Sequence, residues 1–260
     1  MKVKTHSDDD LFEHFQVIGD IALVSIPSEL EYQKSRIAQS IISRQENIKT
    51  VLNKISKLKG ERRVASFEVI AGTETITTYR EFGFVYRLDL TKVFFNSRLS
   101  YERMRVASLV RPNEMILVPF CGVGPFAIPL AAKGARVLAL EKNPEACRWL
   151  VENVMLNDVK DNMMMVKGDA SFLPHMLKLN FDRVVVPTPY GWDSILDIFY
   201  DLMKFGATIH FYTFKQRHEI ERLIRMFEMM GFHVQFYRKC GNVAPSVSRW
   251  VFDLVKSVER

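Results

Sequence analysis

The sequence contains few cysteines, and the three that it has exclude several kinds of site. Cys121, Cys147 and Cys240 lack the paired spacing of a zinc site and do not form an even-numbered disulfide framework. The six histidines add no cluster with metal-ligand spacing, so we predict no bound metal. A chain without a disulfide framework suits a reducing compartment, and we expect a cytoplasmic protein.

Long apolar segments are also missing. No apolar run reaches the roughly 18 residues that a transmembrane helix needs, and the longest, residues 115–123, has the length of a strand. The first ten residues are polar and end in three aspartates, unlike a secretory signal peptide. We therefore expect no association with a membrane, and we favour a monomer.

Basic residues outnumber acidic ones, which favours a polyanionic partner. Lys and Arg number 36 against 30 Asp and Glu, and the formal net charge is +6. A positive surface attracts the phosphates of a nucleic acid, although the same charge also keeps a protein in solution. The basic run NKISKLKGERR, residues 53–63, is either a solvated loop or a place where phosphates bind.

The pattern of elements changes near residue 95 and predicts two domains. Residues 1–95 contain short strands, the first over residues 18–27, and an amphipathic helix over residues 29–45, which indicates a small α+β domain. Residues 96–260 alternate strands with helices, which predicts a parallel sheet. Two closing strands, over residues 233–237 and 249–254, lack a helix between them and indicate an antiparallel edge.

Three predicted strands end in residues that suit an adenosine-containing ligand. Gly122 and Gly124 follow the first strand, where glycines let a ligand approach the backbone closely. Glu141 ends the second strand and can accept both ribose hydroxyls. Asp169 ends the third strand and can accept from an adenine amino group. The bulky Pro125-Phe126 pair suits a ligand without a pyrophosphate, so we favour S-adenosylmethionine over NAD.

At this point the motifs resemble a known family. The segments GVGPFAIP, RLDLTKVFFNSRLSYERMRV, EKNPEA, VENVMLN, GDA and IHFYT are similar to those of enzymes that modify guanosine 37 of tRNA. The resemblance extends from about Ile18 to Leu254. It implies an α/β class I S-adenosylmethionine-dependent methyltransferase (Rossmann-like) domain preceded by a small α+β domain that contacts tRNA.

The resemblance also implies site residues. The positions that match cofactor contacts are Asn96, Arg103, Phe120, Gly122, Gly124, Glu141, Lys142, Asp169, Ala170 and Pro187. Glu102 matches a general base, which would remove the proton from guanine N1 before alkylation. The alternative for Glu102 is a salt bridge on a helix face with Arg105 or Arg98. Arg63 matches an arginine that stabilises charge on the guanine oxygen, although the neighbouring Arg62 could do the same.

The family contains two activities, and the sequence departs from one of them. The family usually has an aspartate at the position of Val118, and the guanine-N1-methyltransferases have an asparagine at that of Pro187. Proline offers no side-chain donor or acceptor. The small domain also opens the sequence without the extra domain of those enzymes, so we favour 3-amino-3-carboxypropyl transfer, as in wyosine synthesis. The segments GVGPF and IHFYT keep N1-methylation open. A non-catalytic RNA-binding paralogue and a small-molecule methyltransferase are the rival hypotheses.

Three aromatic or imidazole side chains complete the candidates. Tyr190 and Trp192 either stack on a nucleobase or pack under the following helix. His210 lies near a strand end, and we expect a structural role rather than a place in the site.

Overall fold

The computed structural model describes residues 15–55, 65–173, 180–189 and 195–258. Arg63, Tyr190 and Trp192 lie outside the described residues. The chain divides into two compact units, Met1–Phe95 and Asn96–Arg260.

The first unit contains a four-stranded sheet, one helix and a separate hairpin. The sheet has the order β1-β2-β3-β4, with β2 and β3 parallel and the outer pairs antiparallel. Its strands are β1 (Gln16–Ile18), β2 (Ile21–Val24), β3 (Thr50–Lys54) and β4 (Phe67–Ala71). The helix α1 (Lys34–Arg44) follows a short 3-10 segment (Ser28–Gln33) and connects β2 to β3. The hairpin consists of β5 (Ile76–Glu81) and β6 (Phe84–Asp89).

Gly19 explains why β1 and β2 form a hairpin instead of the single strand predicted over residues 18–27. Its φ of +60° places the backbone in the left-handed region, which glycine adopts at low cost. A Cβ atom there would lie 2.0 Å from the Thr77 hydroxyl oxygen, so the turn packs directly on β5. The Thr77 hydroxyl in turn donates to the Asp20 carboxylate at 2.6 Å, which fastens the β1–β2 turn to β5.

The second unit is built on a seven-stranded sheet with the order β12-β13-β11-β10-β7-β8-β9. The strands are β7 (Met115–Pro119), β8 (Arg136–Glu141), β9 (Met163–Lys167), β10 (Phe181–Val186), β11 (Met203–Lys215), β12 (Phe232–Ala244) and β13 (Val247–Lys256). The helices are α2 (Ser100–Ser108), α3 (Ala127–Ala132), α4 (Pro144–Leu156), α5 (Leu196–Tyr200) and α6 (Ile220–Met229). Neighbouring strands are parallel except where β13 pairs antiparallel with β11 and β12.

The strand order brings the predicted cofactor residues to one edge of this sheet. The chain fills β7, β8 and β9 in one direction and then returns to place β10 and β11 on the other side of β7. In such sheets the carboxyl ends beside the point of reversal form a crevice that binds ligands. The loops after β7, β8, β9 and β10 all begin at this edge, called here the carboxyl edge.

The two closing strands are longer than the sequence pattern predicted. β12 continues to Ala244 and β13 starts at Val247, so the two form a long hairpin closed by a tight turn. The distal half of β12 is largely exposed and lacks the alternation of apolar and polar residues that marks a half-buried strand. Register shifts at three points adapt it to β13, and these bulges also hide the regular pattern.

Candidate active site

The turn after β7 has an unusual backbone conformation that exposes one glycine. Phe120 and Gly122 adopt φ values of +57° and +56°, and the Cys121 N–H donates to the Leu140 carbonyl at 3.0 Å. A Cβ atom added to Gly122 would meet no atom within 4 Å, so the backbone faces open space there. A Cβ on Gly124 would instead lie 2.8 Å from the Ile128 and Leu150 side chains, so packing accounts for that glycine.

Glu141 is bonded directly to this turn. One carboxylate oxygen accepts from the Gly122 N–H and the other from the Asn143 N–H, both at 2.8 Å. Burial raises the pKa of Glu141, although the hydrogen bonds from the Asn143 and Gly122 backbones act in the opposite direction. Each carboxylate oxygen has two lone pairs, so both retain an acceptor site after these bonds. The side chain is therefore oriented by the backbone and still able to receive two hydroxyl donors.

Asp169 caps a short 3-10 segment (Ala170–Phe172) beside Glu141. One of its oxygens accepts from the Ser171 N–H at 3.0 Å and from the Ser171 hydroxyl at 2.8 Å. The other lies 3.0 Å from the ammonium group of Lys142, which is half-exposed. The Ser171 backbone hydrogen bond is the main interaction that lowers the pKa of Asp169. Ala170 is buried beneath this cap.

The ends of β7 and β10 offer little polar chemistry. Val118 is fully buried and pairs with Ala139 of β8, so the position at which the resemblance implies an aspartate is here part of the core. Pro187 follows β10 and is half-buried. The Thr188 hydroxyl turns back to donate to the Val186 carbonyl at 3.3 Å. Residues 187–189, Pro-Thr-Pro, therefore present no uncommitted side-chain donor.

Asn96 and Arg103 lie together at the start of α2. The Asn96 side chain accepts from the Arg98 N–H at 3.0 Å and caps a 3-10 segment (Ser97–Leu99). The Asn96 backbone carbonyl accepts from the Arg103 guanidinium at 2.9 Å. Arg103 is 1% exposed, and this hydrogen bond holds the start of the 3-10 segment against its side chain.

The carboxyl edge fits an adenosine-containing ligand. The uncovered Gly122 backbone provides a cradle that a side chain would fill, and Glu141 provides two oriented acceptors for vicinal hydroxyls. Asp169 adds a third acceptor at the neighbouring strand end, although Lys142 and Ser171 already engage it. These are acceptors that the adenosine part of S-adenosylmethionine requires.

Glu102 on α2 is buried and is held by three donors. Its carboxylate accepts from the Arg105 Nε at 3.0 Å and from the Tyr212 hydroxyl at 3.1 Å. The guanidinium of Arg238 forms a close ion pair with its other oxygen. The ring of Tyr212 packs against Phe126, in the turn before α3, at 5.3 Å between centroids. Glu102 is thus connected through one tyrosine to the segment that follows the Gly122 turn.

These contacts belong to a chain of buried and partly buried ionisable side chains, called here the buried ion network. Its members, in order of contact, are Glu102, Arg105, Asp253, His210, Arg183 and Glu114. Arg105 forms a bidentate pair with Asp253, at 2.6 and 3.0 Å. Arg183 similarly binds Glu114 at 2.9 and 3.2 Å. Bidentate pairs of this kind fix geometry as well as charge.

His210 is neutral in this network. It is fully buried between Asp253, 2.6 Å from its Nδ1, and Arg183, 2.7 Å from its Nε2. An arginine can only donate, so Nε2 accepts and the proton resides on Nδ1. Burial, the largest cause, lowers the pKa of His210, in agreement with a neutral ring. Burial alone would raise the pKa of Asp253, but hydrogen bonds from His210 and Arg105 lower it to about 2.

Sequence patterns do not predict most of the contacts around Glu102. The Arg105 salt bridge was one of the two interpretations of Glu102, because i and i+3 residues share a helix face. The Glu102 partners Tyr212 and Arg238 come from β11 and β12, more than one hundred residues away along the chain. Asp253, the partner of Arg105, comes from β13. Only the β11–β13 register, in which His210 pairs with Asp253, could have predicted part of this cluster.

The sequence of this fold also matches a described family. Residues 77–236 match the TRM5/TYW2 methyltransferase domain, and residues 1–75 match the TYW2 N-terminal domain. The chain belongs to the TRM5/TYW2 family. This is a family of S-adenosylmethionine-dependent transferases that act at position 37 of tRNA. The predicted family, fold class and cofactor are therefore confirmed.

Relatives with different activities are similar to this chain. It is 34% identical to the tRNA (guanine(37)-N(1))-methyltransferase Trm5b of Pyrococcus abyssi, over 89% of this chain and 71% of that one. It is 32% identical to the tRNA(Phe) (4-demethylwyosine(37)-C(7)) aminocarboxypropyltransferase of Pyrococcus horikoshii, over 91% and 87%. The crystal structure of P. horikoshii TYW2 in complex with MeSAdo superposes with a TM-score of 0.78 and 28% identity, over 94% and 90%.

Membrane spans and metal clusters are absent from the part of the chain that the structure describes. Its helices there are all too short or too polar to cross a membrane. Within the same ranges, no group of three or more His, Cys, Asp or Glu side chains could hold a metal ion. Arg63, the predicted partner of Glu102 at the target base, lies outside them.

Proposed function

We propose that this protein transfers the 3-amino-3-carboxypropyl group of S-adenosylmethionine to the modified guanosine at position 37 of tRNA. The observation that carries this choice is the Pro187-Thr188-Pro189 segment after β10. A guanine-N1-methyltransferase would be expected to hold the guanine edge there with an amide side chain. Here the only side-chain hydroxyl of the segment is turned back onto Val186.

A tricyclic substrate removes the need for such an amide. In a wyosine-type base a fused ring occupies the edge on which guanine carries its N1 proton. Recognition of that edge then depends on shape and stacking more than on hydrogen bonds. Proline, with no polar side-chain atom, is compatible with a fused ring and leaves no buried donor unsatisfied. The match of residues 1–75 to the TYW2 N-terminal domain supports the same choice.

The residues of the carboxyl edge have distinct proposed roles. Glu141 accepts the ribose hydroxyls with the lone pairs that Gly122 and Asn143 leave available. The bare backbone of Gly122 allows close approach. Asp169 and Ala170 flank the adenine. When bound, S-adenosylmethionine supplies an electrophilic carbon on its sulfonium, and the product depends on which carbon faces the base. Orientation, rather than a different set of catalytic groups, therefore selects the reaction.

Glu102 is proposed to receive the proton that the base loses. When the substrate carbon bonds to the methylene carbon next to sulfur, the sulfur–carbon bond breaks and methylthioadenosine leaves. The substrate carbon must then release its hydrogen as a proton. Tyr212 and Arg105 fix one oxygen of Glu102, while the other faces Arg238, which is 34% exposed and can move more easily. Arg63 and the small unit, residues 1–95, are proposed to contact the tRNA.

N1-methylation remains the second candidate, because the identity to the P. abyssi Trm5b is 34% against 32% for the aminocarboxypropyltransferase. The two reactions consume the same cofactor and leave different products. Methyl transfer leaves S-adenosylhomocysteine, whereas aminocarboxypropyl transfer leaves methylthioadenosine. The nucleoside product thus need not be identified before the reactions can be told apart.

The test uses S-adenosylmethionine labelled separately in the methyl and carboxyl carbons. Two tRNA substrates are compared, one with unmodified guanosine 37 and one with the tricyclic base. We expect carboxyl label in the tricyclic tRNA and methylthioadenosine in the supernatant, with Glu141→Gln as the inactive control. Methyl label alone, together with S-adenosylhomocysteine, would overturn the proposal. Label in the unmodified tRNA would favour N1-methylation, and label in the tricyclic tRNA would favour methylation of the tricyclic base, the activity named for a relative from Saccharolobus solfataricus. Binding of tRNA without transfer of either label would indicate a non-catalytic protein.

A further inference from the structure

A basic groove lies at the tip of the β12–β13 hairpin, away from the residues assigned above. Its volume is about 590 Å³, and its lining includes Arg217, Lys239, Asn242, Ser246 and Trp250. No carboxylate belongs to this lining among the described residues. Arg217 and Lys239 are exposed, and neither forms an ion pair with any part of the chain that the structure describes. Two cations in one groove without a counter-charge favour an anionic ligand.

The polar residues of the groove add donors. The Ser248 hydroxyl donates to the Asn242 side-chain oxygen at 3.2 Å, which leaves the Asn242 amide nitrogen as the donor toward other groups. Ser246 adopts φ +63° in the hairpin turn, a conformation in which glycine or asparagine is the usual residue. A serine there keeps a hydroxyl at the groove despite the backbone cost. Basic, amide and hydroxyl side chains are the groups that contact nucleic-acid phosphates.

The groove is at the same end of the strands as the cofactor residues. Ser248 of β13 pairs with Lys215, the last residue of β11, so the hairpin tip lies beyond the carboxyl edge. β11 continues four residues past Phe211, which pairs with the last residue of β10. The spacing between neighbouring strands and the rise per residue together place the groove roughly 20 Å from the end of β7. That distance exceeds what the cofactor can span, but a polynucleotide can bridge it.

We propose that this groove binds a backbone phosphate of the RNA substrate, with Arg217 and Lys239 as the neutralising cations. The inference rests on the proposed function, since it takes tRNA as the substrate. The contact positions the RNA through its backbone and does not read its sequence.

The experiment compares two double variants with the same change of charge. Arg217→Gln with Lys239→Gln removes the groove cations, whereas Lys133→Gln with Arg136→Gln removes two exposed cations near the opposite edge of the sheet. Affinity for the tRNA is measured by fluorescence anisotropy over a series of KCl concentrations. Loss of this one phosphate contact is expected to reduce the slope of log K against log salt by about 0.7–0.9, and to weaken binding at least tenfold at low salt. The control variant should change the slope and the affinity for tRNA much less.

Each outcome separates this inference from the proposed function. S-adenosylmethionine affinity and the melting temperature should be unchanged in the groove variant, because neither cation touches the cofactor residues. A groove variant that binds tRNA with the wild-type slope and affinity would overturn the inference and leave the proposed function intact. If the wild-type protein binds no tRNA at any salt concentration, both are overturned.

Discussion

Replacement of Gly122 by alanine tests whether the carboxyl edge holds the cofactor. Gly122 has φ +56°, and an added Cβ atom would meet nothing within 4 Å. The change therefore costs only the left-handed conformation of an L-residue, about 1–2 kcal/mol. If S-adenosylmethionine lies over this backbone, the new methyl group occupies part of its place. Overpacking of that kind costs about 1–3 kcal/mol, which corresponds to roughly 5- to 150-fold weaker binding.

Gly206 provides a matched control within the same unit. It has φ +75°, and a Cβ atom there also meets nothing within 4 Å, but it lies near the start of β11, away from the carboxyl edge. Gly206→Ala should lose about the same 1–2 kcal/mol of conformational energy and keep its affinity for the cofactor. Urea unfolding monitored by tryptophan emission reports on this unit alone, because Trp149, Trp192 and Trp250 all follow residue 96 in the sequence.

The decisive measurement is calorimetric titration of S-adenosylmethionine into both variants. We expect similar unfolding midpoints and clearly different dissociation constants, with only Gly122→Ala impaired. Equal affinities for the two variants would show that the open space over Gly122 is not the cofactor site. Weaker binding in both would point to a general loss of order, and the Gly122 backbone would then have no special place in cofactor binding.

Three other changes test the charged residues. Asp253→Asn removes a carboxylate whose pKa drops from 3.8 to about 2 on folding. This drop contributes about 2 kcal/mol to the free energy of unfolding above pH 4, and the contribution is lost as pH falls toward 2. The stability difference from wild type should therefore shrink as pH falls below about 4, and a constant difference would contradict this. Glu102→Gln should slow single-turnover transfer about 100-fold or more without weakening cofactor affinity. Wild-type cofactor affinity should fall as acidification protonates Glu141, a dependence that Glu141→Gln lacks.

The meeting of the candidate cofactor residues at one edge of the sheet was predictable because each of their signals is local. The glycine turn, Glu141 and Asp169 each follow directly after a strand, and parallel strands deliver their carboxyl ends to one edge. Residues that directly follow neighbouring parallel strands could thus be placed at the same edge without any knowledge of the register. The structure adds the hydrogen bond from Gly122 to Glu141, which no spacing rule specifies.

The surroundings of Glu102 could not be predicted for the opposite reason. Arg105 and Asp253 are 148 residues apart, and their contact depends on how β13 inserts beside β11. A helix pattern shows that Glu102 and Arg105 share a face, but it does not show that the face is buried against strands. Burial is what turns an ordinary helix salt bridge into a network in which each charge needs a partner.

β12 joins the buried ion network to the hairpin groove. Successive side chains on a strand point to opposite faces, and Arg238 accordingly pairs with the buried Glu102 while Lys239 lines the groove. A substitution at Lys239 that shifted β12 would also disturb Glu102, and the pH dependence of unfolding attributed to Asp253 would then change. The groove variant replaces no member of the network, so we expect it to keep that pH dependence. With that dependence preserved, a lost phosphate contact and a damaged buried ion network can be distinguished in one protein.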